Sequence, residues 1–233
     1  YQVKGKRAGD TATTGRRIAF QASEIVDTHA PYDLVRKMRA SFWVIGPLLA
    51  RAGEARVSLP GGCAIGTRPI DLFIESLEAL GAKIDIDAGY VNATAPSGGL
   101  VGARYRFPKV SVGATHVMLM AASLANGTTV IENAAREPEV TDVAECLNAM
   151  GAKISGIGTS TLTIEGVTSL HGATHRVLPD RIETGTFAAC VAMTGGDVLL
   201  KNARANLLQE ALDVLQKTGT EVESGNEGIR IRR

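Results

Sequence analysis

Aromatic side chains are scarce in this chain of 233 residues, since Phe, Tyr and Trp together make up 4% and there is a single tryptophan. A core must therefore be built from aliphatic side chains, and a hydrophobic content of 45% is sufficient for one. An excess of one charge is also missing, because 25 Lys and Arg oppose 24 Asp and Glu. This balance argues against a broadly basic surface for nucleic acid and leaves only a local basic pocket open.

Cysteines and long apolar runs are equally sparse. Three cysteines without short pairing spacings do not form a disulfide framework, which indicates a reducing, cytoplasmic compartment. No CxxC or HExxH pattern indicates a metal site. The polar start of the chain lacks an apolar signal core, and no apolar run reaches the roughly 18 residues of a membrane helix. We expect a cytoplasmic protein without metal or membrane contact.

The chain does contain an internal repeat. Three segments, from Ser58, Ile131 and Leu200, each predict a strand, a loop, an amphipathic helix, a glycine and a two-strand hairpin. Each helix is expected to end at a glycine in the left-handed conformation. In the third segment, Asn206 is a candidate N-cap of the helix. The helix-ending glycines are Gly81, Gly151 and Gly219.

Upstream of each segment lies a second candidate helix, within residues 34–53, 114–127 and 182–196. All three are apolar nearly all round, which is typical of a buried helix. The predicted fold class is therefore α/β, with βαβαββ units of about 70 residues whose buried helices are surrounded by sheets. Cys146 and Cys190 lie on apolar helix faces and are assigned to core packing.

A glycine-rich loop is the first candidate site. Pro60, Gly61 and Gly62 precede Cys63, so the thiol is expected to be reachable, and Arg68 would lower its pKa if the loop folds back. Arg68 also stands just before a helix N-terminus, where phosphate is favoured. A structural hairpin with an incidental thiol is the alternative interpretation.

The second candidate is the turn that opens the helix after residue 109. Backbone N–H groups near Gly113, with Lys109 and Ser111 as further donors, form a candidate anion site. Helix capping by Ser111 or Thr115 is the competing interpretation. Arg39 occupies the corresponding position of the preceding unit, which suggests that repeat-related loops hold an anionic ligand at one end of the domain.

Charged residues also begin the third apolar helix, at Asp180, Arg181 and Glu183. Charges that lead into an apolar helix need partners or solvent. An ion-pair hinge and a catalytic role are both open from the sequence. The four histidines show no catalytic spacing and are interpreted as structural or surface residues.

Five strings in order, PYDLVRKMRAS, SLPGGCAIGTRP, KVSVGAT, IENAAREPE and RVLPDRIETGT, resemble the enolpyruvyl transferase family, in the branch that uses UDP-N-acetylglucosamine. The resemblance runs from about Ile18 to the C-terminus. It implies an inside-out α/β barrel, with two domains of three units each and the active site between them. By this resemblance residues 1–178 form one domain, with a truncated first unit, and residues 179–233 begin the other.

The resemblance also implies a reaction. The enolpyruvyl group of phosphoenolpyruvate moves to the 3′-hydroxyl of UDP-N-acetylglucosamine and phosphate leaves, in the first committed step of peptidoglycan synthesis for the bacterial cell wall. No metal or organic cofactor is expected. Cys63 would be the proton donor, form a covalent adduct with phosphoenolpyruvate and be the target of fosfomycin, on a lid that runs from Pro60.

The remaining roles follow from the same motifs. Arg68 would contact phosphate, and the segment from Arg68 to Leu72 would hold the uridine nucleotide. The segment from Lys109 to Gly113 resembles the diphosphate-binding turn of the family, and Arg39 resembles another nucleotide-sugar contact. The implied substrate-binding residues are Arg39, Arg68, Pro69, Ile70, Asp71, Leu72, Lys109, Val110, Ser111, Val112 and Gly113.

Parts of the family pattern have no counterpart here, namely an N-terminal Lys-Asn pair and the charged groups of the second domain. We therefore expect part of a nucleotide site, no turnover by this chain alone, and self-association through the incomplete domain. Three alternatives remain: an enzyme acting on shikimate 3-phosphate, which the lid cysteine disfavours; a non-catalytic nucleotide-sugar-binding module; and an RNA 3′-phosphate cyclase-like protein.

Overall fold

A computed structural model describes residues 17–60 and 69–233. The described residues divide into two compact units. The first comprises residues 17–136 and 143–173, and the second comprises residues 137–142 and 174–233.

The first unit holds two copies of a strand–helix–strand–helix–strand–strand motif. The first copy is β1 (His29–Ala30), α1 (Tyr32–Val35), a 3-10 turn (Arg39–Val44), α2 (Ile45–Ala52), β2 (Glu54–Ser58), α3 (Asp71–Ala79), β3 (Lys83–Asp87) and β4 (Tyr90–Thr94). The second copy is β5 (Arg104–Arg106), α4 (Val112–Ala122), β6 (Thr128–Glu132), α5 (Pro138–Ala149), β7 (Lys153–Ser155) and β8 (Thr161–Glu165). The first turns of α5 are grouped with the second unit.

Each copy forms a four-stranded sheet with the same strand order. The orders are β1-β2-β4-β3 and β5-β6-β8-β7. In each sheet the first pair is parallel and the other two pairs are antiparallel. The repeat predicted from the sequence is confirmed for both copies.

The helices α2 and α3 pack on α4, which is buried almost throughout. The expected apolar helix in residues 34–53 is divided, because a 3-10 turn precedes α2 and Pro47 lies in the first turn of α2. Proline lacks an N–H and is tolerated only in that first turn. Where α2 meets α4, a Cβ added at Gly46 would lie 2.7 Å from the carbonyl oxygen of Val117, so only glycine permits this approach.

The second unit contains α6 (Arg181–Thr194), β9 (Asp197–Lys201), a 3-10 turn (Ala205–Leu207), α7 (Gln209–Lys217), β10 (Glu221–Gly225) and β11 (Gly228–Arg232). Its sheet has the order β10-β11-β9, which matches the other two sheets with the first strand missing. Its core is a cluster of buried aliphatic side chains. The cluster consists of Ala188, Val191, Leu208, Leu212, Ile229 and Ile231.

Two expectations about the third segment are wrong. The helix α6 is not buried all round, and Cys190 is exposed rather than packed in a core, because the described residues of this unit cover only one side of α6. Asn206 is not an N-cap, since the 3-10 turn takes up this residue and α7 begins at Gln209. The helix-ending glycines are confirmed, with φ of 88°, 98° and 87° at Gly81, Gly151 and Gly219. Within the described ranges, no helix is long and apolar enough to cross a membrane.

Candidate functional site

The start of α4 is a capped helix N-terminus with open donors. The Ser111 hydroxyl accepts the N–H of Ala114 at 3.4 Å, and the Thr115 hydroxyl donates to the Ser111 carbonyl at 2.7 Å. Capping by Ser111 is therefore confirmed. The N–H groups of Val112 and Gly113 have no hydrogen-bond partner among residues 17–60 and 69–233. Capping and anion binding are thus compatible, because they use different N–H groups.

Because Gly113 has no Cβ, two other segments of the chain can pack closely against the start of α4. A Cβ added there would lie 2.6 Å from Cζ of Phe73 and 3.1 Å from Nε1 of Trp43. Phe73 also meets Phe42 edge to face, with ring centroids 5.5 Å apart. The 3-10 turn that follows Met38, the first turn of α3 and the start of α4 therefore meet at one place.

Arg39 joins two of the segments that the sequence assigned to the site. Its Nη2 donates to the carbonyl oxygen of Pro69 at 3.3 Å. Asp71 is exposed in the first turn of α3, whereas the side chain of Leu72 is only 4% exposed. Leu72 can therefore offer a ligand its backbone but not its side chain.

Further along α3, a hydrogen bond ties the helix to the strand that leads into the α4 turn. The hydroxyl of Tyr105 on β5 donates to Oε2 of Glu75 on α3 at 2.9 Å. Burial, and then the hydrogen bond and charge of Glu75, raise the pKa of Tyr105 well above its usual range. Tyr105 is thus a neutral donor at neutral pH. Lys109 and Val110 lie in the bend after β5 and are exposed.

Trp43 and His116 are members of this arrangement that the sequence did not assign to the site. Their rings stack at a centroid distance of 4.7 Å. Nδ1 of His116 lies 2.8 Å from the carbonyl oxygen of Val112, so this nitrogen carries the proton and donates. His116 is 2% exposed, in keeping with its interpretation as a structural histidine. The only available signal was that Trp43 is the single tryptophan of the chain.

The lid residues Gly61, Gly62 and Cys63, together with Arg68, lie outside the described residues. Pro60 is described and is half-buried just after β2. The roles given to these residues stay predictions. Among the residues that the structure describes, no cluster of His, Cys, Asp and Glu could hold a metal ion.

The charged residues that begin α6 have structural partners within the second unit. Asp180 accepts the N–H groups of Ile182 and Glu183 at 2.8 and 2.9 Å and so caps α6. Arg181 forms a bidentate ion pair with Glu139, at 2.9 and 3.2 Å. Of the two interpretations left open for these residues, the ion pair is observed.

Comparison with known proteins identifies the family to which this chain belongs. The model of the family described as EPSP synthase (3-phosphoshikimate 1-carboxyvinyltransferase) matches residues 11–233. The chain belongs to the EPSP synthase family. Two relatives named UDP-N-acetylglucosamine 1-carboxyvinyltransferase are each 69% identical to it, from Sinorhizobium medicae over 99% of the chain and from Chelativorans sp. over the whole chain. The chain spans 54% of the length of each, about half.

Two solved structures show the same fold. The enolpyruvyl transferase NikO from Streptomyces tendae matches with a TM-score of 0.75 and 23% identity, over 88% of this chain and 49% of that one. An EPSP synthase from Acinetobacter baumannii matches with a TM-score of 0.59 and 24% identity, over 83% and 44%. The expected mixed α/β fold of an enolpyruvyl transferase is thus confirmed.

Proposed function

We propose that this chain supplies the lid cysteine and part of the nucleotide-sugar site of an enzyme that transfers the enolpyruvyl group of phosphoenolpyruvate to the 3′-hydroxyl of UDP-N-acetylglucosamine. The observation that carries the proposal is a pair of contacts at the start of α4: Arg39 donates to the carbonyl of Pro69, and Trp43 and Phe73 lie against Gly113. Three segments that are distant in sequence converge there, and relatives 69% identical carry the corresponding name.

The donors at this place suit a diphosphate. The N–H groups of Val112 and Gly113 point out of a helix N-terminus, where the helix dipole favours negative charge. Lys109 is exposed and adds a cation beside them. The guanidinium of Arg39, held against Pro69, adds a second cation at the start of α3. This set of donors binds the nucleotide part of the substrate, and the lid supplies the chemistry.

By the resemblance, Cys63 protonates the methylene carbon of phosphoenolpyruvate and can form a covalent adduct with it, and Arg68 contacts phosphate. A reactive thiol of this kind must be accessible to the substrate and needs a nearby cation that lowers its pKa. The enzyme would act in the bacterial cytoplasm, in peptidoglycan synthesis, without metal or organic cofactor and without nucleic acid.

A second candidate is binding without turnover by the 233-residue chain. Its support is the length of the chain, which spans only about half of the named relatives. Shikimate 3-phosphate is the competing substrate class, because the description of the family model names it. The solved structures do not favour it, since 23–24% identity is evidence of fold alone.

Calorimetric titration with UDP-N-acetylglucosamine tests the nucleotide site. We expect saturable binding, and Lys109→Ala should weaken it at least about tenfold because a charged hydrogen bond is worth about 1.5–3 kcal/mol. Lys83→Ala, on the exposed side of β3, is the matched control and should leave the affinity unchanged. Binding of shikimate 3-phosphate in place of the nucleotide sugar, or no effect of Lys109→Ala, would contradict the proposal.

Intact-mass measurement after incubation with fosfomycin tests the lid. One adduct is expected, lost in Cys63→Ser and kept in Cys190→Ser, which removes an exposed thiol. Labelling of Cys190 instead would mean that simple exposure controls the reaction. Release of phosphate from phosphoenolpyruvate and UDP-N-acetylglucosamine separates the two candidates, since the binding candidate predicts none.

A further inference from the structure

The two halves of the proposed nucleotide site lie on separate segments of the first unit. Residues 69–72 lead into α3, and residues 109–113 follow β5 and open α4. A ligand that spans both halves binds tightly only if the two segments are already held at the right separation, because binding then requires no further ordering. Contacts that fix this separation therefore matter for binding even where they do not touch the ligand.

Two side chains of α3 hold the segment from residue 105 to residue 113 at its two ends. Phe73 lies against the start of α4, where its Cζ would be 2.6 Å from a Cβ at Gly113. Glu75 accepts the hydroxyl of Tyr105 on β5 at 2.9 Å. Because residues two apart on a helix point about 200° away from each other, the two contacts fix α3 from two sides. One contact alone would let α3 pivot, whereas two keep its first turn in place.

The segment is itself firmly attached near Tyr105. The ring of Tyr105 meets that of Phe107 edge to face, with ring centroids 5.0 Å apart. Phe107 is fully buried, its N–H donates to the carbonyl of Glu132 at 3.0 Å, and its carbonyl accepts Nδ2 of Asn133 at 2.9 Å. Lys109 follows two residues later. A displacement of α3 from Tyr105 is therefore a displacement from Lys109 as well.

We propose that Glu75 and Tyr105 are positioning residues of the nucleotide site. Their hydrogen bond sets the separation between residues 69–72 and residues 109–113. The inference rests on the proposed function, since it concerns the same site. Asp71, a candidate nucleotide contact, stands one helical turn before Glu75 on the same face of α3. The bond thus holds this face of α3 at a fixed distance from the turn that would bind the diphosphate.

Amide chemical-shift titrations of the full 233-residue chain test the proposal with three probes. Uridine would use the half at residues 69–72, pyrophosphate the half at residues 109–113, and UDP both. We expect Tyr105→Phe to weaken UDP binding roughly three- to tenfold, because the apparent affinity falls with the fraction of molecules in which the halves are correctly spaced. The affinities for uridine and for pyrophosphate should stay unchanged, because each probe uses one half.

Further variants separate the hydrogen bond from other effects of the substitution. Glu75→Gln keeps an acceptor for the Tyr105 hydroxyl and should retain most of the UDP affinity, whereas Glu75→Ala should lower it as much as Tyr105→Phe does. The double variant Tyr105→Phe/Glu75→Ala should be no weaker than either single variant, since both remove the same bond.

The matched control is Tyr90→Phe on β4. It removes the hydroxyl of another half-buried tyrosine, one that forms no hydrogen bond to any residue in the ranges 17–60 and 69–233. This substitution should leave UDP binding unchanged. Circular dichroism checks that every variant folds.

The outcomes separate the positioning role from the function on which it rests. UDP that binds no more tightly than uridine or pyrophosphate would overturn both, because no site would then span the two segments. UDP binding that Tyr105→Phe leaves unchanged would overturn the positioning role alone. An equal loss of uridine or pyrophosphate affinity would overturn that role too, because Tyr105 would then act within one half and not on the separation of the two.

Discussion

The contact between α2 and α4 makes a sharp prediction about Gly46. A Cβ there would stand 2.7 Å from the carbonyl oxygen of Val117 and 3.2 Å from its Cγ1, against ordinary contacts of 3.4–4 Å. The helix backbone of α4 holds this oxygen, so the two helices must separate by about 0.7 Å in Gly46→Ala. Overpacking of this kind costs about 1–3 kcal/mol, and a backbone obstacle favours the upper end.

Alanine also has a higher helix propensity than glycine, by up to about 1 kcal/mol. The net effect of Gly46→Ala is therefore a loss of about 2 kcal/mol in the free energy of unfolding of the first unit. The matched control is Gly185→Ala on α6, where the nearest atom to the added Cβ is a Leu208 methyl at 3.7 Å. That contact is ordinary, so the same substitution should stabilise the second unit by about 1 kcal/mol.

Urea unfolding measures both effects. Trp43, as the single tryptophan, reports by fluorescence on the first unit, and far-ultraviolet circular dichroism follows both units. We expect the fluorescence transition to move to lower urea in Gly46→Ala and to stay in place in Gly185→Ala. A neutral or stabilising Gly46→Ala would refute the argument, because it would mean that α2 and α4 are not in contact as described.

Three other substitutions test individual contacts. Ser111→Ala should lower the stability of the first unit by about 1 kcal/mol in urea unfolding, because it removes the cap of α4. Tyr105→Phe should make the free energy of unfolding less dependent on alkaline pH. The raised pKa of Tyr105 stabilises the folded state below pH about 10, and this contribution is lost at higher pH. The difference in stability between the unsubstituted protein and the variant should therefore shrink at high pH. Asp197→Asn should make the free energy of unfolding less dependent on acid pH. Arg230 lowers the pKa of Asp197, so this ion pair stabilises the folded state at neutral pH, and the stabilisation disappears as pH falls through the lowered pKa. A stability difference independent of pH would contradict either assignment.

The parts of the fold that the sequence predicted are those that depend on neighbours along the chain. Helix periodicity and a following glycine are local signals, which is why the sequence alone assigned Gly81, Gly151 and Gly219 to helix ends. The order of helices and strands within a unit followed from repetition. The division of residues 34–53 into a 3-10 turn and α2 was missed although Pro47 was visible, because the apolar pattern continues through the break.

The missed parts of the candidate site depend on residues that are far apart in sequence. The sequence around Gly113 carries no signal that Phe73 and Trp43 pack against this residue. The stacking of Trp43 on His116 joins residues of two different units of the repeat, and a lone histidine in an apolar helix carries no signal of a partner. Spacing therefore found the helix starts that we propose to bind ligand, but not the aromatic side chains that pack between those starts.

The comparison of α4 with α6 explains why one expectation failed and another succeeded. Both helices are apolar nearly all round, so the same rule predicted burial for each. The rule identifies the apolar surface of a helix that must be buried for the helix to be stable. How much of that surface is buried depends on how many other elements pack around the helix. For α4 the partners are α2 and α3, and its residues are buried; for α6 the described residues cover one side, and Phe187 and Met193 remain exposed. An apolar helix predicted from sequence therefore identifies a surface that needs partners, and the number of elements packed around the helix decides how much of that surface is buried.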